Sequence, residues 1–130
     1  MDLGKLDVVA GANAGAWVDI IHPTTLQKTG VRIKVLGADS EAVRKAVEEA
    51  QRARLEDLRA KVSDEEGKRR MDARDLGILV TATLAWEAVE LEGKALDCTP
   101  ENLRMVYGRF PVIREQVAAA IGDRGVFLTP

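Results

Sequence analysis

Residues 99–128 contain the signals that most constrain the fold of this chain, because they mark where helices begin and end. Thr99 is a good N-cap residue, since its side chain can accept a hydrogen bond from an amide of the first turn. Pro100 suits the first turn of a helix, where no amide hydrogen is needed. Gly108 can adopt the left-handed conformation that closes a helix. These start and stop signals predict a short helix over residues 99–107.

A second helix is predicted to follow at once, over residues 111–121. Pro111 again suits the first turn, and Gly122 suits the end. The residues between them that recur at the spacing of one helix face are Val112, Ile113, Gln116, Val117, Ala120 and Ile121. Almost no reactive side chains accompany these signals. The segment therefore indicates a part that packs against another surface rather than a reaction centre.

Residues 16–36 are predicted to form a β-hairpin. The sequence VRIKVL at residues 31–36 alternates between apolar and basic side chains, which is typical of a strand with one buried face. The earlier run AWVDII, at Ala16–Ile21, is joined to it by a polar loop that contains Pro23. Because an isolated β-hairpin is marginal in water, we expect this one to pack on the helices or on a partner's sheet.

Two longer helices are predicted between these parts, over about residues 40–62 and 72–92. Asp39 or Ser40 can cap the first, whose apolar stripe is thin and rich in alanine. Asp72 is expected to cap the second. Apolar residues cover most of the circumference of this second helix, so we expect it in the middle of a bundle.

The predicted fold class is therefore α+β, mainly α, with an N-terminal β-hairpin followed by about four helices. The charged sequence SDEEGKRR at residues 63–70 is expected to be a loop between the first two helices. Residues 1–15, rich in glycine and alanine, are predicted to be a flexible arm that orders only on docking. Residues 16–130 are expected to form a single domain, as a chain of this length allows.

The composition argues against several classes of partner. The chain has 19 Lys and Arg residues against 21 Asp and Glu residues, a formal net charge of −2. Phosphate binding depends on an excess of basic residues, so a nucleic-acid partner is not expected. The most apolar stretch, residues 76–89, is too short and too polar to span a bilayer, so we expect no membrane association. A single cysteine and a start that does not resemble a signal peptide favour the cytoplasm.

Residues that could carry chemistry are few. His22 is the only histidine and Cys98 the only cysteine, so an activated nucleophile would need these two together. We expect His22 to be a turn residue and Cys98 to fill a small apolar gap. The acids at 64–66 lack the alternating ligand spacing of a calcium loop, and the basic residues at 68–70 are expected on the surface or against a partner. The sequence therefore predicts no catalytic residue, no cofactor and no metal site.

Apolar residues that could contact another protein are expected at three places: the β-hairpin edge, the first long helix and the C-terminal tail. A tryptophan on an edge, such as Trp17, is a common anchor of an interface. The thin stripe of the first long helix also favours self-association into a homo-oligomer. The candidate interaction residues are Trp17, Ile33, Val43, Val47, Phe127 and Leu128.

Several of these patterns together resemble the tail assembly chaperones of long-tailed bacteriophages and their prophage relatives. The residues that carry the resemblance are TLAW at 83–86, GKAL at 93–96, TPEN at 99–102, PVIREQV at 111–117, Asp123-Arg124, Phe127-Leu128, and, in the N-terminal part, Trp17, His22-Pro23 and GADS at 37–40. The resemblance covers most of the chain. Its motifs are patterns of fold and not catalytic signatures.

This resemblance implies a non-enzymatic role in tail morphogenesis, in the cytoplasm of a bacterial host. Proteins of this kind are thought to escort the tape-measure protein and to help tail tube subunits polymerise around it. The implied partners are therefore the tape-measure protein and the tail tube protein. The family has no catalytic residues that could be carried over to this chain.

Two other functions stay open on the sequence. A structural virion protein, such as a tail or head–tail connector component, could use the β-hairpin to add a strand to a neighbour's sheet. A small enzyme or nucleic-acid regulator is the third possibility, for which the usual constellations of residues are missing.

Overall fold

The computed structural model of the chain describes residues 1–128. Its helices are α1 (Val8–Ala14), α2 (Glu41–Arg59), α3 (Asp64–Ala82), α4 (Pro100–Arg109) and α5 (Pro111–Gly122). Its strands are β1 (Ala16–Ile21), β2 (Lys28–Val35), β3 (Thr83–Glu87), β4 (Glu90–Leu91) and β5 (Lys94–Ala95). Short 3₁₀ turns lie at Leu3–Leu6 and Arg124–Phe127. The α+β class predicted from the sequence is confirmed.

Strands β1, β2 and β3 form one antiparallel sheet, in that order. Strands β1 and β2 form an N-terminal β-hairpin, in which Val18 lies opposite Ile33. Strand β3 comes from much later in the chain and pairs with the other edge of β2, so that Trp86 also lies opposite Ile33. The short strands β4 and β5 form a separate two-stranded ladder.

The predicted helix over residues 72–92 is wrong at both ends. Helix α3 begins earlier because Ser63 is its N-cap, with Oγ accepting a hydrogen bond from the amide of Glu66 at 3.3 Å. It ends at Ala82 because the residues that follow pair with the free edge of β2, next to a bond from the amide of Leu36 to the carbonyl of Ala82. The stretch predicted as a loop, 63–70, therefore supplies the first turns of a helix.

The core lies between one face of the sheet and helices α4 and α5, with the end of α3 beside them. Val35 of the sheet, Tyr107 of α4 and Val117 of α5 are fully buried in it. The predicted starts of three helices are confirmed, since Ser40, Thr99 and Pro111 stand at the starts of α2, α4 and α5. The predicted role of Gly108 is wrong, because this residue lies within α4.

The two ends of the described chain pack together. Residues 1–15, predicted to be a flexible arm, contain helix α1, and Ala12 of this helix is buried in the core. A Cβ atom on Gly37 would lie 2.7 Å from Ala12 Cβ and 2.9 Å from the Phe127 ring, so the absence of a side chain lets these groups meet. Two hydrogen bonds of 2.9 and 3.1 Å between Arg124 and Asp39 hold the C-terminal turn against the start of α2.

Candidate functional site

Helices α2 and α3 form a helical hairpin that projects from the core. The helical hairpin is defined as α2, α3 and the short connection at residues 60–63, and it is inserted between β2 and β3. No residue from 44 to 78 is buried, whereas Val43 and Leu79, at its base, are buried in the core. Packing of the core therefore anchors the base of the helical hairpin, and no side chain beyond the base is fully buried.

The connection at the tip is closed by local hydrogen bonds. The amide of Lys61 donates to the carbonyl of Leu58, and the amide of Val62 donates to that of Asp57, which is the pattern that commonly ends a helix. Lys61 adopts the left-handed φ of 54° that this ending requires. Ser63 then starts the return helix, so the two helices run antiparallel after a tight turn.

An ionic network joins the two helices where an apolar core would otherwise be expected. The Asp57 carboxylate accepts hydrogen bonds from Arg70 at 2.8 Å and from Arg74 at 2.7 Å, while only 15% of its side chain is exposed. The hydrogen bond from Arg74, reinforced by the one from Arg70, holds the pKa of Asp57 below its ordinary value. Glu66 adds a second contact to Arg70 at 3.2 Å. We expect this network to help fix the register of the two helices.

Large apolar side chains remain exposed on the helical hairpin. Leu58 is 68% exposed, Leu55 is 55% exposed and Met71 is 39% exposed. One exposed leucine is ordinary in a folded protein, but a group on one projecting element marks a contact surface.

A groove follows the seam between the two helices. It consists of two depressions of about 260 and 310 Å³ that share Arg54, Met71 and Arg74. Its apolar lining is Val47, Ala50, Leu58, Val62, Gly67, Met71 and Ile78. Helix α2 rises by about 1.5 Å per residue and ends at Arg59, so the groove runs for roughly 18 Å between Val47 and the turn at the tip. We call these two depressions together the groove.

A second exposed surface is the face of the sheet that points away from α4 and α5. Trp17 lies there, and the Arg32 guanidinium stands 4.9 Å from the centre of its ring. Arg32 also contacts Asp19 and Glu87, each at 3.4 Å. The cation therefore joins all three strands and covers part of the tryptophan, on a surface that we call the open sheet face.

The outer edge of β1 is partly occupied by a side chain. The Gln116 amide accepts a hydrogen bond from the backbone amide of Ile21 and donates one to its carbonyl, both at 2.8 Å. These are the two bonds that a neighbouring strand would make at this residue. This end of the edge is therefore closed to an added strand.

The structure separates the interaction residues predicted from the sequence. Ile33, Val43 and Phe127 are buried in the core, so none of them is accessible in the folded chain. Val47 is half-buried at the base of the groove, and Leu128 is half-buried beside the C-terminal turn. Trp17 is also half-buried, and it lies on the open sheet face beside Arg32.

Sequence reasoning missed the residues that are exposed instead. Leu55 and Leu58 continue the apolar stripe of α2, and Met71 lies in the segment after the predicted loop. The helical spacing of Leu55 and Leu58 was a signal in the sequence that could have identified them. What the sequence could not indicate is that the core would cover only the first turns of this stripe.

The residues able to do chemistry have structural contacts. His22 Nδ1 accepts hydrogen bonds from the amides of Thr24 and Thr25, at 3.1 and 3.2 Å, within the β1–β2 loop. Burial raises the pKa of the Cys98 thiol, so that less thiolate is present at neutral pH. Within residues 1–128, no three His, Cys, Asp or Glu side chains are grouped as metal ligands would be.

Within residues 1–128, no helix combines the length and the apolar character needed to cross a bilayer.

Comparisons of the chain with protein-family models, with curated proteins and with solved structures find no match. The surfaces described above are therefore the structural features that point to a function.

Proposed function

We propose that this protein is a non-enzymatic tail assembly chaperone of a long-tailed bacteriophage or prophage. In this proposal it binds the tape-measure and tail tube proteins during tail morphogenesis, in the cytoplasm of the bacterial host. Two independent features support the proposal: the sequence patterns that resemble this family, and a helical hairpin with exposed apolar side chains.

The single observation that carries the proposal is the exposure of Leu55 and Leu58 on the projecting part of the chain. Burying a leucine side chain that is otherwise in water contributes about 1.5–3 kcal/mol. A partner that covers both residues therefore gains a substantial part of its binding free energy from this one element.

The arrangement also suits the task of a chaperone that must later release its partner. The core anchors the base of the helical hairpin, where Val47, Leu76 and Ile78 pack partly against it, while no residue from 44 to 78 is fully buried. Binding can therefore cover the part of this element near its tip without disturbing the sheet. Contacts of modest strength, repeated along an elongated partner, would escort it and still dissociate when tube subunits replace them.

The proposal is tested by co-expression of this protein with candidate tape-measure and tail tube proteins, followed by co-purification. We expect the wild-type chain to retain at least one of them. The double substitution Leu55→Gln with Leu58→Gln should abolish retention. Leu3→Gln, at a position that is 77% exposed on the N-terminal turn, is the matched control and should retain the partner. If neither candidate co-purifies although all components are folded, the proposal is wrong.

The open sheet face favours a second candidate function, that of a structural virion protein. Trp17 is held there by Arg32 with part of its ring exposed, as an interface anchor would be. A permanent virion component is expected in stoichiometric amounts in purified virions. An assembly chaperone is expected to be absent from them, so quantitative mass spectrometry of virions separates the two functions.

A further inference from the structure

The groove of the helical hairpin carries an ordered set of charges. Arg54 and Lys68 line its middle, one on each helix. Within residues 1–128, neither forms an ion pair. The nearby carboxylate of Asp57 is already held by two arginines. The middle of the groove therefore has two cations that no described side chain neutralises.

The ends of the groove have the opposite charge. Asp64 lines it near the tip and Asp75 lines it towards the base. Both residues are on α3, and at about 1.5 Å per residue they lie roughly 16 Å apart along the helix axis. Neither forms an ion pair in the described part of the chain. From base to tip, the unpaired charges thus follow the order acidic, basic, basic, acidic.

We infer that the groove binds an amphipathic α-helix of a partner protein, with acidic residues at its centre and a basic residue towards each end. A groove between two antiparallel helices, lined in part by apolar side chains, is the shape that a third helix fills. Its length of roughly 18 Å corresponds to about 12 residues of a helix. The carboxylates of such a helix would meet Arg54 and Lys68, while its apolar side chains would cover Leu58 and Met71.

This inference rests on the proposed function, because it names the kind of partner segment that the same helical hairpin would bind. It nevertheless has a test that needs no phage protein. The probes are two synthetic helical peptides of about 15 residues, each with leucines on one face. One has central glutamates and terminal lysines, and the other has these charges exchanged.

The experiment measures binding of both peptides to the full-length chain, by calorimetry and by amide chemical shifts. We expect the peptide with central glutamates to bind about five- to ten-fold more tightly, as two exposed ion pairs would produce. Its shifts should centre on Ala50, Gly67 and Met71. The double substitution Arg54→Glu with Lys68→Glu should reverse the preference.

The matched control is Arg52→Glu with Arg59→Glu, which makes the same charge change on exposed residues of α2 outside the groove. It should keep the original preference, and circular dichroism checks that both variants are folded. Equal binding of the two peptides, equal effects of the two variants, or shifts outside the groove would each overturn the inference.

A second copy of the chain is the alternative occupant. It would be shown by a dimer in sedimentation that only Arg54→Glu with Lys68→Glu dissociates. That result would also overturn the inference. Because the peptides contain no tape-measure sequence, failure of this experiment is distinct from failure of the co-purification.

Discussion

The hydroxyl groups of Thr83 and Tyr107 lie 2.7 Å apart in the buried interior, where helix α3 turns into strand β3. Thr83 donates its single hydroxyl proton to the carbonyl oxygen of Leu79, also at 2.7 Å. Tyr107 must therefore be the donor in the bond between the two hydroxyls. This pair ties α4 to the junction between α3 and the sheet, and so fixes where the helical hairpin joins the core.

The first prediction concerns this pair. Tyr107→Phe removes one neutral hydrogen bond and leaves Thr83 bonded to Leu79, so we expect a loss of about 1 kcal/mol in the free energy of unfolding. Thr83→Val leaves the buried tyrosine hydroxyl without a partner, which should cost about 1–3 kcal/mol. Urea denaturation of both variants and of the double variant checks this. The loss in the free energy of unfolding of the double variant should be smaller than the sum of the losses of the two single variants. Strict additivity would contradict the coupling between the two hydroxyl groups.

The second prediction uses the fact that Tyr107 is the only tyrosine. Burial raises its pKa to about 12. Because the folded state holds this proton more tightly than the unfolded state, whose tyrosine has a pKa of about 10, stability from this group is intact below pH 10 and falls as the pH rises towards 12. The ultraviolet absorbance of tyrosinate should therefore appear at a pH about two units higher in the folded protein than in the unfolded chain. An ordinary midpoint with unchanged circular dichroism would refute the burial of this hydroxyl.

The third prediction compares two glycines. A Cβ atom on Gly11 would overlap the backbone carbonyl of Phe127, whereas one on Gly108 would meet nothing within 4 Å. Gly11→Ala should therefore destabilise the protein by about 1–3 kcal/mol through overpacking. Gly108→Ala, inside α4, should stabilise it by about 0.5–1 kcal/mol, because alanine favours the helix. Thermal denaturation measures both, and a harmless Gly11→Ala would show that α1 and the C-terminal turn do not pack as described.

The fourth prediction concerns the pH dependence of the ionic network. The pKa of Asp57 is lowered by Arg74 and Arg70, so its contribution to stability is complete above the unfolded value of about 3.9. That contribution is lost as the pH falls from there through the folded pKa. Asp57→Asn should therefore melt below the wild type at neutral pH and approach it in acid. Asp75→Asn, which removes an unpaired carboxylate, is the control. If the difference in melting temperature between Asp57→Asn and the wild type does not change with pH, the ionised Asp57 carboxylate does not stabilise the fold in this way.

Local signals explain which helices the sequence predicted well. Ser40, Thr99 and Pro111 act through the first turn of their own helix, so a short stretch of sequence is sufficient to identify them. Ser63 and Glu66 were a comparable signal, since Ser-x-x-Glu is a capping pattern. The glycine and the dense charges of residues 63–70 favoured a loop instead, and that prediction was wrong.

Non-local contacts explain what the sequence could not predict. Residues 83–87 have a spacing that fits a helix, and only the unpaired edge of β2 makes them a strand. The location of the candidate site also depends on non-local contacts. Val43 is buried in the core and Leu58 is exposed, although both belong to the same apolar stripe of α2, so the pattern within the helix does not show which of them is covered.

The central claim is that the helical hairpin is the element that binds the partner. The most direct test is hydrogen–deuterium exchange of the free chain and of its complex with the tape-measure protein. In the free chain, amides of residues 50–71 should exchange faster than those of the sheet, because no buried side chains protect them. In the complex these same amides should become protected, while those around Trp17 stay unchanged. A stable complex that protects the open sheet face and leaves residues 50–71 unprotected would contradict the account.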